Sequence, residues 1–374
     1  MAPQRPKGAG ALEKDQKPAL SPAPVPPGSS DLYAALDLGT NSCRMLIARP
    51  NGSGFHVVDS FSKSVQLGAG LEKTGRLSRG SMARTIQALR ICQQKIRRNK
   101  VTRMRLVATE ACRRALNGAD FMSRIQRETG LKLDIIKPEE EARLAVISCA
   151  PLVSPKTENL LVVDIGGGST ELVWIDISKV PMKDRAQSIM RLHTGFKQAQ
   201  SEVPTARVVD WISVPLGVAT LRDQFNDVED DAARFALMSW YFEENLTDFT
   251  PYQSAQPQER FQIVGTSGTV TTVAASHLGL KRYDRTKIDG LRMTSDQIDK
   301  VIHSYLAMGP GGRRADPRIG SDRAALIMSG AAILQALMRC WPTDRLSVAD
   351  RGLREGLLYA QMSADGVLEE EGEH

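Results

Sequence analysis

Short apolar runs alternate with amphipathic stretches along this chain, and two of the runs share one plan. Tyr33-Ala34-Ala35-Leu36 ends at Asp37, passes through Gly39 and a polar turn, and resumes as Cys43-Arg44-Met45-Leu46-Ile47-Ala48. Leu160-Leu161-Val162-Val163 likewise ends at Asp164, turns through Gly166-Gly167-Gly168, and resumes at Glu171-Leu172-Val173-Trp174. Apolar, mostly branched residues before a sharp turn predict a buried strand, so each unit reads as strand, glycine turn, strand. Phe261 to Val264 predicts a third strand, leading through Gly265-Thr266-Ser267-Gly268-Thr269 into a helix that contains Val273-Ala274-Ala275.

Between these runs the period lengthens. Met82, Ile86, Leu89 and Ile96 make a helical stripe after Arg79, followed by predicted strands at Arg105–Thr109 and Asp134–Ile136. Pro138 with Glu139-Glu140-Glu141 reads as a helix start with acids at the positive end of its dipole. Thr294-Ser295-Asp296-Gln297 is a capping-box start, Ala324–Met338 a buried helix, and Leu346–Ala349 a strand before a last helix. Residues 175–210 read as an extended hairpin or loop. Strands interleaved with helices make the class α/β.

Length changes this picture by dividing it. A chain of 374 residues is expected to form two domains, here 31–155 and 156–360, with the last helix packing back on the first. Seven prolines and almost no large apolar side chains in residues 1–30 predict a disordered tail, and 361–374 an acidic one. The apolar run at 324–338 is too short and too interrupted, by Ser329, Gly330 and Gln335, to span a membrane. Five scattered cysteines without a C-x-x-C pair and five histidines without metal spacing exclude a zinc or disulfide framework and fit a reducing, cytoplasmic setting. The net charge of +6 favours an acidic partner.

The turns carry the candidate chemistry. Glycines bring backbone N–H groups within reach of an anion, and Ser169 and Thr170 add hydroxyl donors. Asp164 and Glu171 flank that site, so a cation between them is implied and the unit reads as a cradle for phosphate and Mg²⁺. Asp37 to Ser42 and Asp164 to Ser169 are both D-x-G-x-x-S, roughly one domain length apart. Two such loops predict two similar halves facing each other across a cleft. Arg113, near a strand end, is placed to meet a ligand phosphate. A glutamate among 139–141 is a candidate general base. The turn at 265–269 is a third phosphate-contacting loop or a helix N-cap, with equal weight.

These motifs in this order resemble the acetate and sugar kinase, heat-shock chaperone and actin superfamily. Within it the chain resembles the exopolyphosphatase/guanosine pentaphosphate phosphohydrolase family, through Leu36–Ser42, Ala108–Arg113, Glu140–Leu144, Asp164–Glu171, Gly265–Thr269 and Asp350–Gly356. The resemblance covers residues 31 to about 360. It implies two ribonuclease-H-like domains flanking a cleft. It makes Glu141 the base, with Glu140 the alternative in register, and gives Asp164, Glu171 and Asp37 to Mg²⁺. It gives Gly39, Asn41, Ser42, Arg113, Gly166, Gly167, Gly168, Ser169, Thr170, Gly265 and Ser267 to substrate phosphates. Longer members carry a further helical domain with a His-Asp motif. No histidine here is followed by aspartate, so the short two-domain form is expected.

The implied activity is Mg²⁺-dependent, processive hydrolysis of the terminal phosphate of inorganic polyphosphate. The alternatives are hydrolysis of guanosine pentaphosphate (pppGpp), a sensor that binds polyphosphate or (p)ppGpp with little turnover, and a kinase of the same fold. The implied partners are these polyanions and a second copy in a homodimer, with no membrane and no specific nucleic acid. The basic stretch from Arg84 to Arg105 is expected to track a polyanion in a salt-sensitive manner.

Overall fold

A computed structural model of the protein describes residues 31–196, 204–253 and 260–368. The proline-rich segment 1–30 and residues 369–374 of the acidic tail lie outside the described residues. Eleven strands are described, in two sheets. The first sheet holds β1 (Tyr33–Leu38), β2 (Ser42–Asn51), β3 (Gly54–Ser64), β4 (Arg103–Ala108) and β5 (Asp134–Ile135), in the order β3-β2-β1-β4-β5. The second holds β6 (Asn159–Ile165), β7 (Thr170–Asp176), β8 (Arg207–Val214), β9 (Phe261–Thr266), β10 (Arg292–Met293) and β11 (Leu346–Ala349), in the order β10-β11-β9-β6-β7-β8.

The two sheets repeat one topology. Each opens with an antiparallel meander, β1-β2-β3 or β6-β7-β8, and continues with parallel strands beside its first member. A parallel neighbour needs a crossover, and helices supply it: Arg79–Arg98 precedes β4 and Gly268–His277 lies between β9 and β11. Strands covered on both faces must be apolar throughout, which is why β1 and β6 read as continuous hydrophobic runs. Leu36 and Leu38 in β1, and Leu161 and Val163 in β6, are buried in the two largest cores.

Helix boundaries follow local chemistry. Ser78 caps the helix Arg79–Arg98 by accepting from Ser81 N, and Thr294 and Gln297 close a reciprocal capping box on Ser295–Ala315. That helix breaks at Gly309, which has a φ of 63°, just before Pro310. The apolar run at 324–338 forms the helix Ile327–Cys340, and one of its polar interruptions is a packing device: Ser329 Oγ donates to Val218 O at 2.6 Å. No helix among the described residues is long and apolar enough to cross a membrane.

Residues 175–210, expected as an extended hairpin or loop, contain compact helical turns among the described residues. After β7 the chain makes short helical turns at Met182–Asp184, Arg185–Met190 and Arg191–Thr194 before β8. Ile189 and Leu192 there pack against Val146 and Cys149 of the helix Pro138–Cys149. Burial of these two residues favours compact turns over an extended ribbon, which a polar-looking stretch does not reveal. The last helix, Leu353–Ala364, leaves the second sheet and packs on the first: Leu357 and Leu358 share a core with Tyr33, Ala35 and Leu144.

Candidate active site

Both glycine turns open into one cavity of about 800 Å³. In each turn the glycine two residues after the aspartate donates to the serine carbonyl three residues on: Gly39 N to Ser42 O and Gly166 N to Ser169 O, both at 2.9 Å. The same bond closes both loops, so the shared pattern is a shared backbone shape. The loops also touch. A Cβ on Gly167 would lie 3.1 Å from Asn41 N, and one on Gly168 would lie 2.9 Å from Glu110 Cγ and closer still to the Thr40 hydroxyl. Side chains at these two positions would force the loops apart. Thr40 Oγ1, at the centre of this contact, is buried with no hydrogen-bond partner among the described residues.

Opposite each aspartate, across its hairpin, stands a charged residue, a cation in the first turn and an acid in the second. Asp37 pairs with Arg44 and Asp164 with Glu171. Directly paired residues lie on the same sheet face. Burial, then repulsion from Glu141 and Asp37, raises the Asp164 carboxyl to about 7. Burial and Asp164 raise Glu171 to about 7 against the pull of Ser169 and Ser213, whose hydroxyls donate to Oε1 at 2.7 and 2.8 Å. Asp37 is also raised by burial, with Arg44 and Arg354 pulling it down.

Asp37, Asp164, Glu141 and Glu171 thus form a buried acid cluster at and behind the cavity wall, with Arg44, Arg354 and Arg113 as its nearby counter-charges. Asp37 and Asp164 line the cavity and accept no hydrogen bond from a described residue, whereas Glu171 stands behind them, outside the lining. No group of three or more potential ligands is arranged to hold a metal ion among the described residues. Mg²⁺ often binds through one or two carboxylates and fills its remaining positions with water and substrate oxygens, so Asp37 and Asp164 fit it, with Glu171 as a supporting charge.

Only one glutamate of the triplet reaches the cavity. Successive helical residues point about 100° apart, so the helix Pro138–Cys149 sends its three acids in different directions. Glu139 is exposed, Glu140 meets Arg105 Nη2 at 3.3 Å on the outer side, and Glu141 is 8% exposed and lines the cavity. Burial, then the nearby Glu171, pushes Glu141 well above the usual carboxylate range, and Arg113 opposes the shift.

Arg113 is not a lining residue. It donates to Glu141 Oε2 at 3.2 Å, to Glu110 Oε2 at 2.6 Å and to Ile136 O at 2.7 Å, so its fork is spent on holding Glu141 and Glu110. A short spacing to a strand end does not show that neighbouring acids have already claimed the guanidinium. Thr170 is likewise turned away, donating to Leu216 O at 2.7 Å. Gly265 lies inside β9 with Val270 against it, as a packing residue. Ser267 caps the helix Gly268–His277, accepting from Thr269 N and Val270 N, and also lines the cavity. Gly39, Asn41, Ser42, Gly166, Gly167, Gly168 and Ser169 line it as well.

Half of the basic residues from Arg84 to Arg105 are paired elsewhere. Arg90 pairs with Glu128, Lys95 with Asp59, Arg103 with Asp365 and Arg105 with Asp134. Arg84 alone of this stretch lines the cavity. Its cationic companions there are Arg44, Lys63, Arg323, Arg351 and Arg354, which sequence reasoning did not select. One signal was present: the charged residue seven positions after each loop aspartate, Arg44 and Glu171, which becomes meaningful once the hairpin register is known.

The chain is 29% identical over 335 residues to a guanosine-5'-triphosphate,3'-diphosphate pyrophosphatase of Aeromonas salmonicida, covering 88% of this chain and 59% of that protein. It thus spans less than two thirds of that relative's length. A Ppx/GppA family member from Aquifex aeolicus superposes with a TM-score of 0.69 at 29% identity, covering 90% of this chain and 98% of that one. An exopolyphosphatase from Cytophaga hutchinsonii shares the fold, with a TM-score of 0.73 at 21% identity over 90% of this chain and 99% of that one. The two mixed sheets are therefore the halves of the actin-like two-domain α/β fold. The model of the Ppx/GppA phosphatase family matches residues 46–365, most of the chain, and the protein belongs to that family.

Proposed function

We propose that the chain hydrolyses the terminal phosphoanhydride bond of inorganic polyphosphate, with Glu141 accepting the proton of the attacking water. The observation that carries this reading is the placement of Glu141: it alone of three adjacent glutamates is buried at a cavity that both phosphate-type turns also line. Arg113 takes up one of its oxygens, Oε2, and leaves the other without a partner among the described residues. A carboxylate held in this way is oriented, and its desolvated setting makes it a stronger base once ionised.

Phosphoryl transfer to water has a loose transition state, so positioning and charge stabilisation dominate over covalent help. The remaining amides of the two turns, those of Thr40 to Ser42 and of Gly167 to Ser169, converge on the terminal phosphate from two sides. The water oxygen bonds to phosphorus, the bridging P–O bond breaks, and the water proton passes to Glu141. Asp37 and Asp164 would hold a Mg²⁺ ion, which would neutralise phosphate oxygens when bound.

A second reading is favoured by the activity of the Aeromonas relative: the same bond cleavage on the 5'-triphosphate of guanosine pentaphosphate. Phosphate release from polyphosphate and from pppGpp in Mg²⁺, measured as kcat/KM with wild type and Glu141→Gln, tests both. Release from polyphosphate that Glu141→Gln abolishes supports the first reading, and a kcat/KM in favour of pppGpp supports the second. Binding of either polyanion with no release above that of Glu141→Gln overturns hydrolysis and leaves a sensor. Turnover of ATP that requires an added acceptor would indicate a kinase.

A further inference from the structure

Arg97, Arg98 and Lys100 lie outside the cavity lining, and their side chains have no hydrogen bond or ion pair with a described residue. All three are exposed, at the C-terminal end of the helix Arg79–Arg98. The helix dipole favours cations there, and Lys95, held by Asp59 at 2.7 Å, already supplies one. The dipole does not account for Lys100. Three helices end in the same pair of backbone bonds. After Gly268–His277, Gly279 N donates to Ser276 O and Leu280 N to Ala275 O; after Leu353–Ala364, Gly366 N donates to Ser363 O and Val367 N to Met362 O. After Arg79–Arg98, Lys100 N donates to Arg97 O and Val101 N to Ile96 O. This motif turns the chain through a left-handed residue, a glycine with φ 65° in the first two and Lys100 with φ 55° in the third. A Cβ strains that conformation, so a lysine where glycine fits better points to a use for its charge.

The neighbouring cation shows what approaches this end of the first sheet. Arg103, three residues on at the start of β4, donates to Asp365 Oδ2 at 2.7 Å, and Tyr33 Oη donates to the same oxygen at 2.8 Å. Asp365 caps the last helix, so the chain beyond it leaves from the end of the sheet where Lys100 stands. Residues 369–374, outside the described residues, read Glu369-Glu370-Glu371-Gly372-Glu373-His374. An extended run from Leu368 to Glu373 spans up to about 17 Å, and Lys100 is at most about 11 Å from Arg103 along the backbone.

We propose that the acidic segment Glu369–Glu373 docks on Arg97, Arg98 and Lys100, continuing the contact that Asp365 makes with Arg103, and closes this face to other polyanions. One exposed ion pair contributes little. Here four glutamates meet three cations, and the short tether holds them at an effective concentration in the millimolar range. Docking is therefore populated at low ionic strength and released as salt shortens the screening length. The basic stretch is divided accordingly. Arg84, near the start of its helix, serves the cavity, and the cations past the other end are neutralised by the chain's own acids.

Zero-length carbodiimide cross-linking of the full chain, read by mass spectrometry, tests this, with the described Lys95–Asp59 pair as the internal control. At about 0.01 M salt, Lys100 is expected to join a glutamate of 369–373 within one molecule. The yield should fall about tenfold at about 1 M, where the screening length is about 3 Å. Three outcomes overturn the proposal: a Lys95–Asp59 product without one at Lys100, joining of the segment to Lys63 in the cavity, or mixed-mass products from a blend of isotopically light and heavy protein, which would mean a second copy. Binding of long-chain polyphosphate without Mg²⁺ reads the closure. Glu369→Gln, Glu370→Gln, Glu371→Gln and Glu373→Gln together should raise affinity about three- to tenfold, and adding Arg97→Gln, Arg98→Gln and Lys100→Gln should cancel the gain. Unchanged affinity in the glutamine variant, or a gain that survives loss of the three cations, would show that the segment does not close this face.

Discussion

The two glycine turns share a backbone and divide the electrostatics. Both are closed by the same hydrogen bond, and both place an aspartate at the end of a buried strand. Across the hairpin, Asp37 faces a cation, Arg44, and Asp164 faces an acid, Glu171. A repeated loop is therefore not a repeated function: the acid–acid half gathers negative charge that suits a metal ion, and the acid–cation half leaves guanidinium donors that suit phosphate. The glycines differ for a related reason. The second turn must let the first one in, so Gly167 and Gly168 lie against Thr40, Asn41 and Glu110, whereas a Cβ on Gly39 would meet its nearest atom at 3.5 Å.

Each prediction presses on that division. The largest effect is expected where neither turn supplies the group: Glu141→Gln should lower kcat by about 10²–10⁴-fold with binding retained, while Glu140→Gln stays close to wild type. Steady-state phosphate release measures both, and a dead Glu140→Gln beside an active Glu141→Gln would move the base by one residue. Next, Glu171→Gln should raise the Mg²⁺ concentration for half-maximal rate by about 10–100-fold, the usual cost of losing a supporting charge. Arg44→Gln should leave that concentration unchanged. Equal Mg²⁺ dependence in the two variants would erase the contrast between the halves.

Smaller effects concern packing. Gly168→Ala should destabilise the fold by about 1–3 kcal/mol in chemical denaturation, because its Cβ meets Glu110 and Thr40 across the contact. Gly39→Ala should cost less than about 1 kcal/mol, since its site has room and no left-handed backbone. The smallest effect is a pH trend. Asp164 and Glu171 are raised to about 7 in the folded protein, so the folded state holds protons that the unfolded chain has released, and stability falls as pH rises through that window. Mg²⁺ binds the ionised acids and offsets the loss. The rise in melting temperature on adding Mg²⁺ should therefore be larger near about pH 8 than near about pH 5. An equal rise at both would mean that these carboxylates are not where the ion binds.

The strands, the two turns and the helix at Pro138 were legible because their signals are local: apolar runs, a turn that tolerates glycine, a proline at a first helical position. The turn equivalence was legible too, through D-x-G-x-x-S. What those patterns omit is direction. Glu140 and Glu141 are neighbours in the chain and face opposite environments, and only packing of their helix decides which one meets the cavity. Arg113 lies beside the cavity rather than on its wall, because Glu110 and Glu141 hold its guanidinium.

The sequence by itself determined the elements and the presence of two equivalent phosphate-type turns, since strand period, glycine conformation and helix capping act over a few residues. Tertiary structure decided which charges share the cavity. Hairpin register set Arg44 against Asp37 and Glu171 against Asp164, and a helix from the far end of the chain carried Arg354 back to the first sheet. Coulomb interactions depend on distance in space and on burial, neither of which separation along the chain records.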